Sequence, residues 1–330
     1  MIDLLVLSKG AESPSTRYRA IQYFEHFAAA GYRTEHRSLA DGPGNYLAAL
    51  DAARRADIVL VLRKTLPPPL LWVLRKVSRR LIFDLDDAIF CNTDGSSSAT
   101  RMSRFSAMAS VCDRVIAGNA FLAEVSGRYN NRVSIMPTAV DVARYRPEKR
   151  KPEDSFDVVW IGSSSTRKYL EDALPALRLA ASHIPGLRLK IIADFDLDAP
   201  GFPTLAVPWC AETEVAELAS SHVGIAPMRD DDWSRGKCAL KVLQYMAAGL
   251  PVVSSPVGVN REAVVDGESG FLVNDDAAWV DALSALSNDG DLIVRMGRVG
   301  RERVERFYAK DVVAEALLAV FGEILSETGG

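Results

Sequence analysis

Residues 157–168 read DVVWIGSSSTRK. The apolar run up to Ile161 shows no polar–apolar alternation, so it predicts a strand buried on both faces, as in a parallel sheet. Gly162 marks a tight turn, and Ser163, Ser164, Ser165 and Thr166 are residue types that start helices. Strand, glycine turn and helix in this order open a β-α-β unit. The turn also offers a glycine, hydroxyls, helix-start amides and the cations Arg167 and Lys168, a set that suits a phosphate group. No glycine precedes Lys168, so the loop is not of the Walker A kind. Ordinary helix capping beside a solvated basic pair is the competing reading.

Outward from this stretch the pattern repeats. Strand-like runs precede it at Ile2–Leu7, Tyr32–Arg37, Asp57–Leu62, Arg80–Phe83, Arg114–Ala117 and Arg132–Met136, and follow it at Leu187–Ala193, Thr204–Val207, Val223–Ala226, Pro251–Ser254 and Phe271–Val273. Helix-period segments lie between them, including Thr16–Ala30, Tyr46–Arg55, Leu70–Val77 and Arg101–Val111. Such alternation predicts doubly wound α/β sheets with right-handed crossovers. The charged, Pro-containing stretch RYRPEKRKPE (Arg144–Glu153) interrupts the rhythm and is the linker candidate. Two Rossmann-like domains are expected, 1–150 and 151–308, with a last helix at 309–330 packing back on the first. Ligands of such sheets sit at strand carboxyl ends, so two facing domains imply a cleft.

The chain has 330 residues, enough for two domains with cores of their own. Hydrophobic residues make up 48% and charged residues 25%, which excludes a disordered or fibrous chain. No run approaches the ~18 apolar residues of a spanning helix. MIDLLVLSKG lacks a basic start and a small-residue cleavage site, so it reads as a strand and not a signal peptide. Cys91, Cys112, Cys210 and Cys238 stand far apart, which argues against a disulfide scaffold or zinc site and for a reducing cytoplasm. Residues 1–150 hold 22 Lys and Arg against 15 Asp and Glu, and residues 151–330 hold 17 against 28. The basic half fits an anionic surface, unless the split is only scatter in solvated charge.

Residues 236–251, GKCALKVLQYMAAGLP, carry the second cluster. On one continuous helix Lys237, Lys241 and Gln244 share a face. Two lysines four apart repel mildly, and an anion between them reverses that sign. The alternative is an exposed amphipathic helix with stray lysines.

These residues resemble the retaining, nucleotide-sugar-dependent glycosyltransferases of GT-B fold, the group 1 family. GSSSTRK is similar to the family's Gly-Arg-x-x-x-x-Lys turn, with Lys168 at its Lys and Ser163 at its Arg. LQYMAAGLPVVSSPVG (Leu243–Gly258) resembles Leu-Glu-Ala-Met-Ala-x-Gly-x-Pro-Val-Val. REAVVDGESGFLV (Arg261–Val273), with Glu262, resembles the Pro-Glu-x-x-x-x-Gly-x-x-Gly-x-Leu stretch, and IMPTAVDVARYRP (Ile135–Pro147) the interdomain signature. Two family glutamates eight apart fall here on Gly236 and Gln244. The resemblance implies retention at the anomeric carbon without a metal ion or other cofactor, the donor being a UDP- or GDP-sugar. It assigns Gly162, Ser163, Arg167, Lys168, Lys241 and Glu262 to the donor, and Gln244 to its ribose. Lys237 is the candidate substitute for the missing Arg, and the base is expected near Val207–Cys210.

In the first half SKGAESPSTRYRA follows the first strand, not G-x-G-x-x-G, which removes most support for a dinucleotide oxidoreductase. Ser15, Arg17 and Arg19 are candidates for the acceptor side, or else first-turn surface residues. IFDLDDAIF (Ile82–Phe90) puts Asp84, Asp86 and Asp87 after a buried strand. Asp86 and Asp87 are the catalytic candidates, polarising an acceptor hydroxyl or holding the donor sugar; helix capping is the alternative. The string also resembles the Asp-x-Asp motif of haloacid-dehalogenase-type phosphatases, with Asp84 as nucleophile, though on the fourth strand and not the first. A non-catalytic GT-B scaffold is the other alternative. LLWVLRKVSRR (Leu70–Arg80) is basic and apolar at helical spacing, fitting either an anionic membrane surface or a buried crossover helix. The expectation is transfer of a sugar to a hydroxyl acceptor, glycan or lipid-linked, with no nucleic-acid partner. The setting expected is cytoplasmic, with peripheral contact at the inner face of the membrane as an option.

Overall fold

The structure is a computed structural model describing residues 1–40, 43–147 and 154–327. Each of the apolar runs becomes a strand. The first sheet holds β1 (Ile2–Ser8), β2 (Tyr32–Ser38), β3 (Ile58–Leu62), β4 (Leu81–Leu85), β5 (Arg114–Ala117) and β6 (Val133–Ile135) in the order β2-β1-β3-β4-β5-β6. The second holds β7 (Phe156–Ile161), β8 (Leu187–Ala193), β9 (Thr204–Pro208), β10 (Val223–Ala226), β11 (Val252–Ser254) and β12 (Gly270–Leu272) in the order β12-β11-β10-β7-β8-β9. All pairings in both sheets are parallel. The fold class is therefore α/β with two Rossmann-like sheets, as expected.

Strand order reverses between β1 and β3 in the first sheet and between β7 and β10 in the second. At such a switch point neighbouring crossovers leave in opposite directions and open a crevice at the strand carboxyl ends. Residues after β1, β3, β7 and β10 are thereby the ones the topology presents to a ligand.

The chain divides into two compact units. The first comprises Met1–Ala139, Asp231–Cys238 and Lys310–Gly330; the second Val140–Asp230 and Ala239–Ala309. The join expected near residue 150 falls at residues 148–153, outside the described residues. The first core includes Leu4, Val6, Leu60, Ile82 and Ile116 from the sheet. The helix Lys310–Ser326 adds Val313, Leu317, Val320, Phe321 and Ile324 to it, with Phe321 5.5 Å from Phe27 and 6.0 Å from Tyr32 between ring centres. The second core is built on Val158, Trp160, Leu189, Ile191, Ile225 and Val253, covered by Leu170, Leu177 and Leu283.

In the first unit one helix departs from expectation. Thr16–Ala30 is broken into Pro14–Arg19, a 3-10 turn at Ile21–Tyr23 and Phe24–Ala29, with Ala20 out of the helical region at φ −139°. The break turns Arg19 inward and lets Tyr23 and Phe27 both enter the core.

Candidate functional site

In the first unit the carboxyl end of β4 carries three aspartates with three different fates. Asp84 accepts from Arg19 at both oxygens, Nε to Oδ1 at 2.9 Å and Nη2 to Oδ2 at 2.7 Å. Nη1 of Arg19 donates to the Met136 carbonyl at 2.7 Å, and both side chains are 3% exposed. Burial raises the Asp84 carboxyl above the usual carboxylate range while Arg19 opposes that rise. Burial also works against the charge on Arg19, but Asp84 outweighs it and the guanidinium keeps its proton. Arg19, expected on the acceptor side, is thus a core residue. The phosphatase reading fails on the same pair, because a carboxylate buried and bonded at both oxygens is not an available nucleophile.

Asp87 is buried and paired with Lys237, whose Nζ lies 2.8 Å from Oδ1, and with Arg63. Burial raises its pKa, and Lys237 and Arg63 pull it down. Asp86 is less committed. Its nearest ion pair is Arg63 Nε at 3.9 Å, and its Oδ1 accepts no hydrogen bond among the described residues. Arg63 joins these groups: it follows β3 at the switch point, adopts φ 48°, and donates from Nη1 to Ser15 Oγ at 2.9 Å. Arg17 is half-buried, its guanidinium 5.7 Å from the Tyr18 ring centre. Arg63 escaped the sequence reading, although its place directly after an apolar strand was the available signal.

Lys237 reaches Asp87 because Asp231–Cys238 packs within the first unit. The Asn119 side-chain amide donates to the carbonyls of Arg235 and Lys237 at 3.2 and 3.1 Å. A side chain at Gly236 would start 2.5 Å from Ala88 Cβ and 2.7 Å from Ala88 N, so no glutamate fits at that position. The shared face expected for Lys237, Lys241 and Gln244 does not form. The helix begins only at Leu240, and Ala239 before it is left-handed at φ 54°.

In the second unit Gly162 follows β7 at the switch point. A Cβ there would lie 2.5 Å from Trp160 Cζ2 and 2.8 Å from Thr166 Oγ1, so the turn hugs the indole and only glycine fits. The loop amides are less open than expected. Ser164 donates its N–H and hydroxyl to Asp194 at 2.7 and 2.6 Å, and Ser163 N–H reaches Thr166 Oγ1 at 3.3 Å. Hydrogen bonds from Ser164 hold the Asp194 carboxyl below its ordinary value. What the site offers an anion is therefore mainly side-chain charge. Lys241 Nζ sits 4.4 Å from the Trp160 ring centre and Arg167 5.1 Å from that of Phe195, while the two rings are 5.9 Å apart. Arg167 also pairs with Glu171 at 2.8 Å, and Lys168 Nζ lies 4.8 Å from the Tyr169 ring centre. Trp160 and Phe195 form an aromatic floor under Lys241 and Arg167 that the sequence reading missed; cations over ring faces are held by the ring quadrupole.

Gln244 is buried, and its amide donates to Glu214 Oε1 at 2.9 Å and to the Tyr145 hydroxyl at 3.1 Å. Glu262 is exposed in the short helix Val259–Ala263 after β11.

Two doubly wound parallel sheets of this order define a class by fold, the GT-B fold, and comparisons with known proteins agree. Residues 155–289 match the family model described as Glycosyl transferases group 1. The chain is 25% identical over 266 residues to a D-inositol 3-phosphate glycosyltransferase of Streptomyces avermitilis, covering 71% of this chain and 57% of that one. It is 26% identical over 183 residues to the putative glycosyltransferase EpsD of Bacillus subtilis, covering 53% and 48%. The chain thus spans about half the length of the curated relatives it matches. Sucrose-phosphate synthase from Thermosynechococcus elongatus superposes with TM-score 0.75 at 15% identity, over 99% of this chain and 100% of that one. HepE of Anabaena, in complex with UDP-glucose, superposes with TM-score 0.75 at 12% identity, over 98% and 100%. The chain resembles the group 1 glycosyltransferases, and its fold is theirs.

Proposed function

We propose that this chain is a retaining glycosyltransferase that moves a sugar from a nucleoside diphosphate donor, a UDP- or GDP-sugar, to a hydroxyl acceptor on a glycan or lipid-linked glycan. The observation that carries it is the cationic set of Arg167, Lys168 and Lys241 around the Gly162 turn at the β7 switch point, inside the matched residues 155–289. In the reaction the bond from the anomeric carbon to the diphosphate oxygen breaks, the bond to the acceptor oxygen forms, and the acceptor's proton passes to the departing diphosphate. Negative charge grows on the departing diphosphate, and fixed cations stabilise it there without a metal ion. The relatives support the donor class: HepE is seen with UDP-glucose, and curated relatives are glycosyltransferases.

Of the two catalytic candidates Asp86 suits an acceptor hydroxyl better, because Asp87 is neutralised by Lys237 and Arg63. Peripheral attachment at the inner face of a membrane goes with this reading. The helix Pro68–Val77 buries Leu71 and Leu74 and leaves Trp72 64% exposed with Lys76 beside it. No helix among the described residues is long and apolar enough to cross a membrane.

Titration calorimetry of the full chain with UDP and GDP, with and without EDTA, tests the donor site. Binding that survives EDTA and weakens about tenfold or more in Lys241→Ala is expected. No binding of either nucleotide, or an unaffected Lys241→Ala, overturns the assignment. Proton NMR of the product anomer, compared with that of the donor, decides retention; absence of any transfer while nucleotide still binds favours the scaffold alternative.

A further inference from the structure

The carboxyl end of β1 closes on a hydrogen-bond node of Ser8, Gly10, Thr16 and His36. Ser8 is the last residue of the strand and is 1% exposed. Its hydroxyl accepts from the Thr16 hydroxyl at 2.8 Å and from the Gly10 N–H at 3.1 Å. Its two other polar neighbours are His36 Nε2 at 2.8 Å and the Gly10 carbonyl at 3.4 Å. A hydroxyl has two lone pairs and one proton. Thr16 and Gly10 take both lone pairs, so Ser8 has only its proton to offer, and His36 is the nearer acceptor. Nε2 therefore carries a lone pair, and the imidazole is neutral with its proton on Nδ1. A proton on Nε2 would face a hydroxyl with no lone pair to receive it, even if Ser8 turned its own proton to the Gly10 carbonyl.

The surroundings favour the same state. His36 is half-buried on β2, and burial lowers its pKa with no charged side chain contributing. Charged groups of the elements packed around it are engaged elsewhere. On the other face of β2, Arg33 pairs with Asp3 and Arg37 with Glu35. His26 of the helix Phe24–Ala29 pairs with Asp311, and Asp51 of the helix Pro43–Arg55 with Arg55. Lys64 donates to the Leu39 carbonyl at 3.1 Å, while Lys9, Glu12, Glu25 and Arg54 are exposed.

The node holds two things at the ligand end of the sheet. Gly10 opens the turn after β1, its carbonyl accepting from the Ser13 N–H at 3.2 Å. Thr16 lies in the helix Pro14–Arg19 next to Ser15, whose hydroxyl accepts from Arg63, the partner of Asp86 and Asp87. We propose that neutral His36 is a positioning residue: through Ser8 it fixes the Gly10 turn and the helix Pro14–Arg19, and taking up a proton releases them. The bearing on Asp86 rests on the acceptor-side reading above; the release of the turn does not.

The test follows His36 and the turn separately in the full chain. Ring-proton NMR titration, with His36 assigned by its loss in His36→Gln, is expected to place its pKa below the ordinary value of about 6.5. Thr16→Val keeps the shape and frees a lone pair on Ser8 for the imidazolium, so the pKa rises by about half to one unit, the worth of one hydrogen bond. Ser8→Ala removes the donor to Nε2 and is expected to shift it the same way. A histidine held neutral by the fold costs stability as pH falls through its ordinary value. Hydrogen exchange of residues 8–19, corrected for the intrinsic rate, is therefore expected to lose protection about fivefold or more between about pH 7.5 and about pH 5. His36→Gln, whose side-chain oxygen accepts from Ser8 without titrating, is expected to stay level. A His36 pKa that neither Thr16→Val nor Ser8→Ala moves overturns the proposal, as does protection that falls equally in wild type and His36→Gln. A chain that shows the pH-dependent turn but binds neither UDP nor GDP loses the donor reading and keeps this one.

Discussion

Replacing Arg19 by Met separates a core residue from an acceptor-side one. The native guanidinium makes two bonds to Asp84 and one to the Met136 carbonyl, all between 2.7 and 2.9 Å, with both side chains 3% exposed. Met fills much of the volume but leaves a buried carboxylate without a cation, a loss that costs about 3–5 kcal/mol. For a unit of this size that is a fall of about 6–20 °C in melting temperature, read by differential scanning calorimetry. Adding Asp84→Leu removes the orphaned charge, so Arg19→Met/Asp84→Leu is expected to regain most of the loss. The dependence on pH has a definite sign. Burial already lifts Asp84, and without Arg19 its folded pKa rises further above the unfolded value. A carboxyl that holds its proton more tightly when folded destabilises as pH rises through its folded pKa and recovers as pH falls. The gap between Arg19→Met and wild type is therefore widest near neutrality and narrows in acid. An Arg19→Met protein that melts like wild type but loses transfer to its acceptor would refute the reasoning.

Two further expectations are as direct. Gly162→Ala drives a methyl into Trp160, which is fully buried, and costs about 1–3 kcal/mol, whereas Gly322→Ala meets nothing within 4 Å inside the helix Lys310–Ser326 and gains up to about 1 kcal/mol; urea unfolding of the two variants reads both signs. Flotation with vesicles containing anionic phospholipid at low salt is expected to carry the chain, and Trp72→Ala/Lys76→Glu to reduce the bound fraction several-fold; wild type left at the bottom removes the membrane reading.

The strands were legible because burial on both faces of a parallel sheet leaves apolar runs such as Ile58–Leu62, bounded by polar residues. Backbone conformation without a residue-type marker was not. Lys237 and Lys241 have helical spacing, yet the chain between them turns at Ala239, a residue with no preference for φ 54°. Side-chain partners over long separations were also beyond reach. Arg19 reads as a first-turn cation until a break at Ala20 points it at a residue 65 positions away. Gln244 reads as a ribose contact because spacing aligns it with a family glutamate, and nothing local reveals that Glu214 lies against it. Gly236 stands where the family has a glutamate, and its reason is a contact with Ala88, about 150 residues earlier.

The helix Lys310–Ser326 has a consequence for the order in which the protein matures. A ribosome delivers β1 to β6 first, but the apolar bed of Tyr23, Phe27 and Tyr32 is closed by Phe321, which is made only after the whole second unit. The second unit has every strand and its core residues in hand by about residue 309. Contacts spanning nearly the whole chain form slowly, and until they do a hydrophobic surface stays open. The unit whose strands are translated first thus waits, with its apolar bed open, until the strands of the second unit have been made.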